Sequence, residues 1–560
     1  QLLLNMYNRC LREGVFPKQW KEQKLVLVSK GKGDPSSPSA YRPLCLLDTA
    51  GKLLERLLKP RLTAAIREAG DLSARQYGFR RGRSTIGAVE EVVRAAHIAQ
   101  LGTWRTKRIV LLATLDVRNA FNSVKWIDML AALETAFRVP DYLLRMIRSY
   151  LRDRLLWYDT VEGSRSIAVT GGAAQGSILG PDLWNVAYDG ILRMDMPGDS
   201  FLVGYADDIA AVVTARDHEV AHIRLRQVMR RVTAWLEEHG MRLAPEKTEV
   251  VLLTRRRLPG AWDLRIDGRT LKPHSSVKYL GVHLDAKLTY WEQVRRSSEK
   301  AAKVTMSLGR MMANVGGPRA SRRRLLMSVA DAVLLYGCEI WSNTLRKAKH
   351  RKRLASIQRK GALRIASAYR TVSEPAVLVV AGVVPIDLQA RERRELWERK
   401  GEPNEAEARL RARRTTLLRW QERWENEHRG RWTARLIPSL SEWVSRRHGE
   451  VDYFLTQFLT GHGCFAAYLW RVGKAGNPSC IYGDSQRDDA CHTFFGCGRW
   501  ERERQRLRTE IGTISPETVV RAMLARADCW DKVAAFVQTV LRMKAAELNR
   551  HLDLPRTGSR

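Results

Sequence analysis

FLVGYADDIAAVV, residues 201–213, sets two adjacent carboxylates, Asp207 and Asp208, in the middle of an otherwise apolar run. No Lys or Arg stands beside them. Such a run reads as two buried β segments meeting at a tight turn with the aspartates at its tip. A buried carboxylate pair is costly unless something neutralises it, and a divalent cation is the usual answer. Asp-Asp at a turn is also common in proteins without any activity, so the tetrapeptide Tyr205-Ala206-Asp207-Asp208 does not establish catalysis by itself. A second stretch changes the weighing. In RIVLLATLDVRNAFNSV (108–124) an apolar strand from Ile109 to Leu115 delivers Asp116 at its C-terminal end. Two-metal phosphoryl transfer needs about this inventory, a few carboxylates on neighbouring strand ends holding two cations roughly 3.5–4 Å apart. Taken alone, Asp116 also fits a cap on the helix that follows. Successive strand residues face opposite sides, so Asp207 and Asp208 approach one metal pair only if the turn reorients one of them. Asp116 and Asp207 are therefore the expected indispensable ligands, with Asp208 third.

Further blocks stand around these two. They are KLVLVSKGKGDPSSPSAYRPLCLLDTAGKLLERLL (24–58), QYGFRRGRSTIGAV (76–89), AAQGSILGPDLWNVAYDGIL (173–192), GMRLAPEKTEVV (240–251) and VKYLGVHLD (277–285). In this order the seven blocks resemble the reverse transcriptases of non-LTR (LINE-type) retrotransposons, most of all the type-1 elements of insects that insert into ribosomal DNA. The resemblance is strong over residues 12–290 and weaker beyond. It implies an α+β right-hand polymerase, with an antiparallel catalytic sheet and a helical thumb, that copies RNA into DNA with two Mg²⁺ ions. The partners it implies are an RNA template, a DNA primer or target DNA, and dNTPs.

Each block also has a physical reading. Lys30, Lys32 and Arg42 put fixed cations beside small and turn-forming residues, suited to a triphosphate or template phosphate, or simply to a solvated basic loop. Arg80, Arg81 and Arg83 surround Gly82, where a nucleic-acid strand can approach the backbone closely. The family's matching aromatic packs under the sugar and blocks a 2′-hydroxyl, which makes Phe121 a candidate selector of deoxynucleotides; a core Phe is the bland alternative. Gln175 and Gly176 would let the backbone approach the incoming nucleotide and template. Lys247 is placed to protonate departing pyrophosphate, with an exposed surface lysine as its alternative. The Tyr279–Val282 hairpin would grip the primer end. Asn122, where many relatives carry an acid, departs from the pattern at a position outside the expected ligands.

Composition is consistent with a phosphate-backbone partner. The 560 residues carry a formal charge of +36, spread along the chain, and 44% are hydrophobic. A basic ribosomal or histone-like protein shares the charge, but this length and apolar share call for real cores and at least two domains. No apolar run approaches the roughly 18 residues needed to span a bilayer, so no membrane partner is expected. Eight scattered cysteines and no visible signal peptide suggest a reducing compartment. The resemblance places the protein in the nucleus after synthesis in the cytoplasm. The chain opens on Gln1 within an early polymerase segment, which suggests an N-terminally truncated piece of a longer polyprotein.

Periodicity and charge divide the chain into four parts, which the resemblance implies are fingers and palm (12–287), a helical basic thumb (288–386), a charged, tryptophan-spotted helical linker (387–455) and a C-terminal nucleic-acid-binding region (456–560). In the last, NPSCIYGDSQRDDACHTFFGCGRW (477–500) resembles the Cys-Cys-His-Cys zinc knuckle of the same insect elements. Cys480, His492 and Cys497 match, but Gly483 stands where the second cysteine is expected. Cys491 or Cys464 is the substitute available for a Zn²⁺ tetrahedron, although adjacent Cys491 and His492 are awkward ligands for one ion. Free buried thiols are the alternative. Relatives also nick their DNA target, but no carboxylate–histidine constellation here supports cleavage. Two other functions compete with polymerisation of DNA: a decayed element product that only coats its RNA, and another templated polymerase such as an intron maturase or an RNA-dependent RNA polymerase.

Overall fold

The computed structural model describes residues 1–31, 34–103, 105–256, 263–266 and 269–551. They form two compact units, the first ending at Thr289 and the second beginning at Tyr290. The first is built on two sheets. One runs β2 (Tyr41–Leu47), β1 (Glu22–Ser29), β4 (Arg154–Thr160), β5 (Gly163–Val169), with β1 and β4 parallel and the other pairs antiparallel. The other is wholly antiparallel. Its centre is β3 (Ile109–Arg118), flanked on one side by β7 (Asp208–Ala215) and then β6 (Ser200–Tyr205). On its other side lie β8 (Arg242–Leu243) and β9 (Glu249–Leu253).

β3 is central because it has almost no polar face. Ile109 to Ala113 are all fully buried, which a strand covered on both sides requires. Helices cover the sheet: Gly180–Arg193 with Trp184 and Tyr188 inward, and His218–Glu238 with Leu225, Val228, Val232 and Leu236 inward. The apolar residues of the second recur at helical spacing. Two small hairpins complete the unit, β10 (Leu264–Ile266) with β11 (Arg269–Leu271), and β12 (Ser276–Tyr279) with β13 (Val282–Asp285). Leu280 and Gly281 both have positive φ, the backbone that a two-residue hairpin turn of matching twist demands.

The second unit is helical, with one hydrophobic core. Residues 387–455, expected as a linker, lie inside it. Trp420 and Trp424, four apart on helix Glu405–Glu425, are 2% exposed, and Trp443 is wholly buried against the carbonyl of Val379, to which its indole N–H donates at 2.8 Å. The charged residues of this stretch form its solvent face. Its tryptophans tie 363–384 to 451–541, which corrects the reading as a spacer.

Candidate active site

The antiparallel register sets Asp116 on β3 directly opposite Asp208 on β7. Asp207 sits one residue earlier, in the two-residue turn between β6 and β7, where Tyr205 pairs with Asp208. Ala206 opens that turn at φ 57°, a left-handed conformation that costs a residue with a Cβ about 1–2 kcal/mol. The strain is held from two sides. Trp184 Nε1 donates to the Ala206 carbonyl at 3.1 Å, and Gly78 packs so closely that a Cβ there would meet Ala206 N at 2.2 Å. Asn185 Nδ2 fixes Gly78 through its carbonyl at 3.0 Å, and Tyr77 N donates to Gly204 O at 2.8 Å. This bend is how adjacent aspartates both come to face Asp116.

Lys247 is the cation beside these carboxylates among the described residues. Lys247 Nζ lies 3.0 Å from Asp116 Oδ2, delivered by the short helix Pro245–Lys247 after Ala244 N has bonded the Asp116 carbonyl at 2.8 Å. Partial desolvation, and then the charges of Asp207 and Asp116, push Asp208 up to about 6, with Lys247 opposing. Burial also raises Asp207, with Asp116 adding to it. The buried hydroxyls of Tyr188 and Tyr279 have no hydrogen-bond partner among the described residues. Burial raises both phenols, as do nearby carboxylates, Asp207 and Asp208 for Tyr188 and Asp208 for Tyr279. Crowded carboxylates with too little positive charge and spare buried donors around them are a donor set that suits divalent cations. The carboxylates do not converge on a single point. Among the described residues, the one set of ligand atoms lying within 4.8 Å of one another is Cys480, Asp484, His492 and Cys497.

The other expected residues are arranged around this centre. Phe121, half-buried in the short helix after β3, stacks on Trp184 at 4.8 Å between ring centroids and meets Phe79 edge-on at 5.8 Å. Gly172 lies against the Phe121 carbonyl, and Ala173 N donates to it at 2.6 Å. The loop with Gln175 and Gly176 is pinned to β2: Cys45 N donates to Gln175 O at 2.8 Å. Gly176 has φ 123°, and a Cβ there would meet Cys45 O at 2.5 Å. Glu55, which sequence reading missed, holds the same loop by accepting from Ile178 N at 2.6 Å and Leu179 N at 3.0 Å; burial raises its carboxyl. Phe79, Trp184 and Tyr188 were missed too, although all three lie within the seven sequence blocks.

Lys30 and Arg42 sit at the end of the β1–β2 hairpin, both exposed; Lys32 lies outside the described residues. Arg80 is spent on structure, donating to Ser73 O at 2.7 Å and pairing with Asp71 at 2.7 Å, whereas Arg81 stays exposed and Arg83 lies over the Tyr77 ring.

The C-terminal cluster differs from expectation in its fourth member. Cys480 Sγ and Cys497 Sγ are 4.0 Å apart, and His492 Nε2 is 3.0 Å from Asp484 Oδ1. Cys491 points elsewhere, with Arg435 Nη1 at 3.8 Å, and Cys464 is also outside the set. Gly483 makes a left-handed turn at φ 79°, and Asp484, the next residue, takes the vacant corner.

A strained Asp-Asp turn thus pairs with an aspartate strand, beside a glycine-bearing loop and a stacked aromatic. Residues 29–284 match the family described as reverse transcriptase (RNA-dependent DNA polymerase). The chain is also similar to non-LTR retrotransposon proteins. It is 28% identical, over 97% of its own length and 54% of the other, to a 115 kDa protein of the type-1 retrotransposable element R1DM of Drosophila melanogaster. It is also 28% identical to the pol polyprotein of a type-1 element R1 of Bradysia coprophila, over 89% of this chain and 50% of that one. The chain thus spans about half the length of these relatives. Among solved structures, telomerase from Candida tropicalis in complex with a telomeric RNA fragment aligns with 73% of this chain and 67% of its own, at 10% identity and a TM-score of 0.38.

Proposed function

We propose that the chain is an RNA-directed DNA polymerase that copies retrotransposon RNA onto a DNA primer, using a nicked target as primer in the cell. The observation that carries this reading is the pairing of Asp116 with Asp208 beneath the turn that bears Asp207, three carboxylates with Lys247 beside them. Two divalent cations, Mg²⁺ in the cell, would be held by Asp116, Asp207 and Asp208 and supply activation of the primer hydroxyl and neutralisation of the leaving pyrophosphate. The chain's own groups do the rest. Phe121, braced by Trp184 and Phe79, lies flat under the sugar and leaves no room for a 2′-hydroxyl. The loop at Gln175 and Gly176, fixed by Cys45 and Glu55, orients the nucleotide against its template. Lys247 donates the proton that pyrophosphate needs on departure. In this reading 12–287 act as fingers and palm and 288–386 as thumb.

Primer extension on an RNA template with Mg²⁺ and dNTPs, comparing the chain with Asp207→Ala, tests it. Extension by the parent alone supports the polymerase and its site. Equal extension by both would mean that the activity lies elsewhere. RNA binding by both with extension by neither would favour the RNA-coating alternative.

We further propose that Cys480, Asp484, His492 and Cys497 hold Zn²⁺. The spacing is Cys-x₃-Asp-x₇-His-x₄-Cys, and the 4.0 Å sulfur separation is near the about 3.8 Å that two thiolates on tetrahedral zinc require. Burial pushes the Cys480 thiol up to about 12, while a hydrogen bond from Cys480 and another from Gly498 N hold Asp484 well below the usual carboxylate range. Zinc content of the purified chain should be one per molecule and fall in Asp484→Ala. Asp484→Cys should bind more tightly, and a metal content untouched by Asp484→Ala would remove Asp484 from the ligand set.

A further inference from the structure

The second unit holds a cleft of 1240 Å³, bounded by helices Trp291–Gly309 and Ala348–Ile365, by residues 368–371 and by 463–474. Lys303, Arg310, Lys360, Arg364, Arg370 and Lys474 line it, and among the described residues no Asp or Glu does. All six are exposed, and none forms an ion pair among the described residues. A seventh cation, Arg359, is turned inward to the carbonyls of Arg370 and Val372, so it holds the wall rather than facing the opening.

The inner wall is aromatic. Tyr369 lies between Tyr453 and Tyr468, with ring centroids 5.8 and 6.0 Å away, and its hydroxyl bonds that of Tyr453. Thr371 Oγ1 lies 2.8 Å from the Tyr468 hydroxyl and 2.9 Å from His462 Nδ1. Burial and the charge of Arg471 lower His462 to about 4, so it adds no positive charge at neutral pH. The rim is therefore cationic and the floor apolar, with its hydroxyls already engaged by one another.

Six uncompensated cations spread around a cleft ask for a partner with several separate negative charges, not one phosphate. A ring-lined floor asks for flat apolar groups between those charges. An unpaired polynucleotide has both, with phosphates at regular intervals and bases free to stack. The cleft is a little larger than one that encloses a drug-sized molecule of about 300–1000 Å³, room for a few nucleotides; a duplex presents no free base faces to the floor.

We propose that this cleft binds a single strand of nucleic acid, phosphates on the rim and bases against Tyr369, Tyr453 and Tyr468. The site is separate from the carboxylate centre and stands whether or not the chain polymerises. The test uses the full chain and a fluorescent twelve-nucleotide oligouridylate, read by anisotropy across a salt series. The variant combines Lys303→Glu, Arg310→Glu, Lys360→Glu and Arg370→Glu. A matched control reverses Arg322, Arg502, Arg506 and Arg521, exposed cations of the same unit outside the cleft. The cleft variant should lose at least about tenfold in affinity, and its salt slope should flatten by about 3, four contacts at about 0.7 each. The control should keep most of both. In the parent, an iodouridine-bearing strand should crosslink to peptides holding one of the three tyrosines. Equal losses in the two variants would mean that overall charge, not the cleft, binds the strand, and crosslinks confined to other peptides would overturn the site.

Discussion

Two aspartate environments in this molecule are opposites. At the β3–β7 centre, Asp116, Asp207 and Asp208 lie beside Lys247 and remain partly open to solvent, and burial together with neighbouring carboxylates raises the proton affinity of Asp207 and Asp208. In the second unit Asp488 is wholly buried, yet it is saturated. Lys544 Nζ and Thr493 Oγ1 reach Oδ1, Ala466 N donates to Oδ2 at 2.8 Å, and Lys544 is itself 1% exposed. The first arrangement is electrostatically incomplete and costs stability. The second is complete and joins the segment around 466 to the helix Ala527–His551. Incompleteness, not burial, separates a site that awaits a ligand from one that holds the fold.

Replacing carboxylates by amides breaks this comparison most sharply. Asp207→Asn and Asp208→Asn should each lower primer extension by at least about 10³-fold, at or beyond the upper end of what losing one oriented catalytic group costs. Their melting temperatures should stay level or rise, because the change relieves repulsion. A fall in melting temperature would mean that the turn depends on these charges for its shape. Asp488→Asn should do the reverse. It leaves Lys544 charged and buried without a counter-ion, a loss of about 3–5 kcal/mol in the stability of the second unit. Denaturant unfolding checks this, and a loss below about 1 kcal/mol would mean that Asp488 is not the partner that matters.

Much of the first environment was legible in the sequence because its signals are local. Continuous apolar flanks and two carboxylates in four residues fix the β6–β7 hairpin and its tip. Its shape was not legible, since Ala206 is left-handed only because Gly78 and Trp184, more than 100 and 20 residues away in the chain, hold it there. The second environment was misread for a different reason. Residues 387–455 were weighed by their charge, which describes the solvent face of a helix. Trp420 and Trp424 at a spacing of four mark the other face and are the stronger signal for packing. Asp484, the fourth member of the Cys480–Cys497 cluster, escaped because members were sought only among Cys and His; Gly483, where a cysteine was expected, makes the left-handed turn before it.

A smaller effect sharpens the active-site half. Phe121→Val would shorten the surface under the sugar while leaving Trp184 and Phe79 in place. Discrimination against ribonucleotides should fall about 10- to 100-fold, the range that a change of pocket shape commands, with deoxynucleotide incorporation reduced less. Unchanged rejection of ribonucleotides would reassign Phe121 to packing alone.

Asp331 supplies the smallest and most diagnostic test. It is enclosed, though less completely than Asp488, and it has no ion-pair partner among the described residues. Desolvation pushes it up to about 6, only partly offset by Arg393. In the unfolded chain it titrates near 3.9. Between these values the native state holds a proton that the unfolded state has released, so its contribution is most favourable below about pH 4 and is lost as pH rises through 6. At pH 7.5 the ionised group costs up to about 3 kcal/mol, since each tenfold change in proton affinity is worth about 1.4 kcal/mol. Asp331→Asn removes the titration but keeps the shape. It should therefore stabilise the protein at pH 7.5, and the gain should shrink toward zero by pH 4. Thermal unfolding of both proteins from pH 4 to 8 reads the difference directly. A gain that does not change with pH would show that Asp331 keeps its charge in the fold, held by a cation as Asp488 is, and the contrast between paired and unpaired burial would then not extend to this residue.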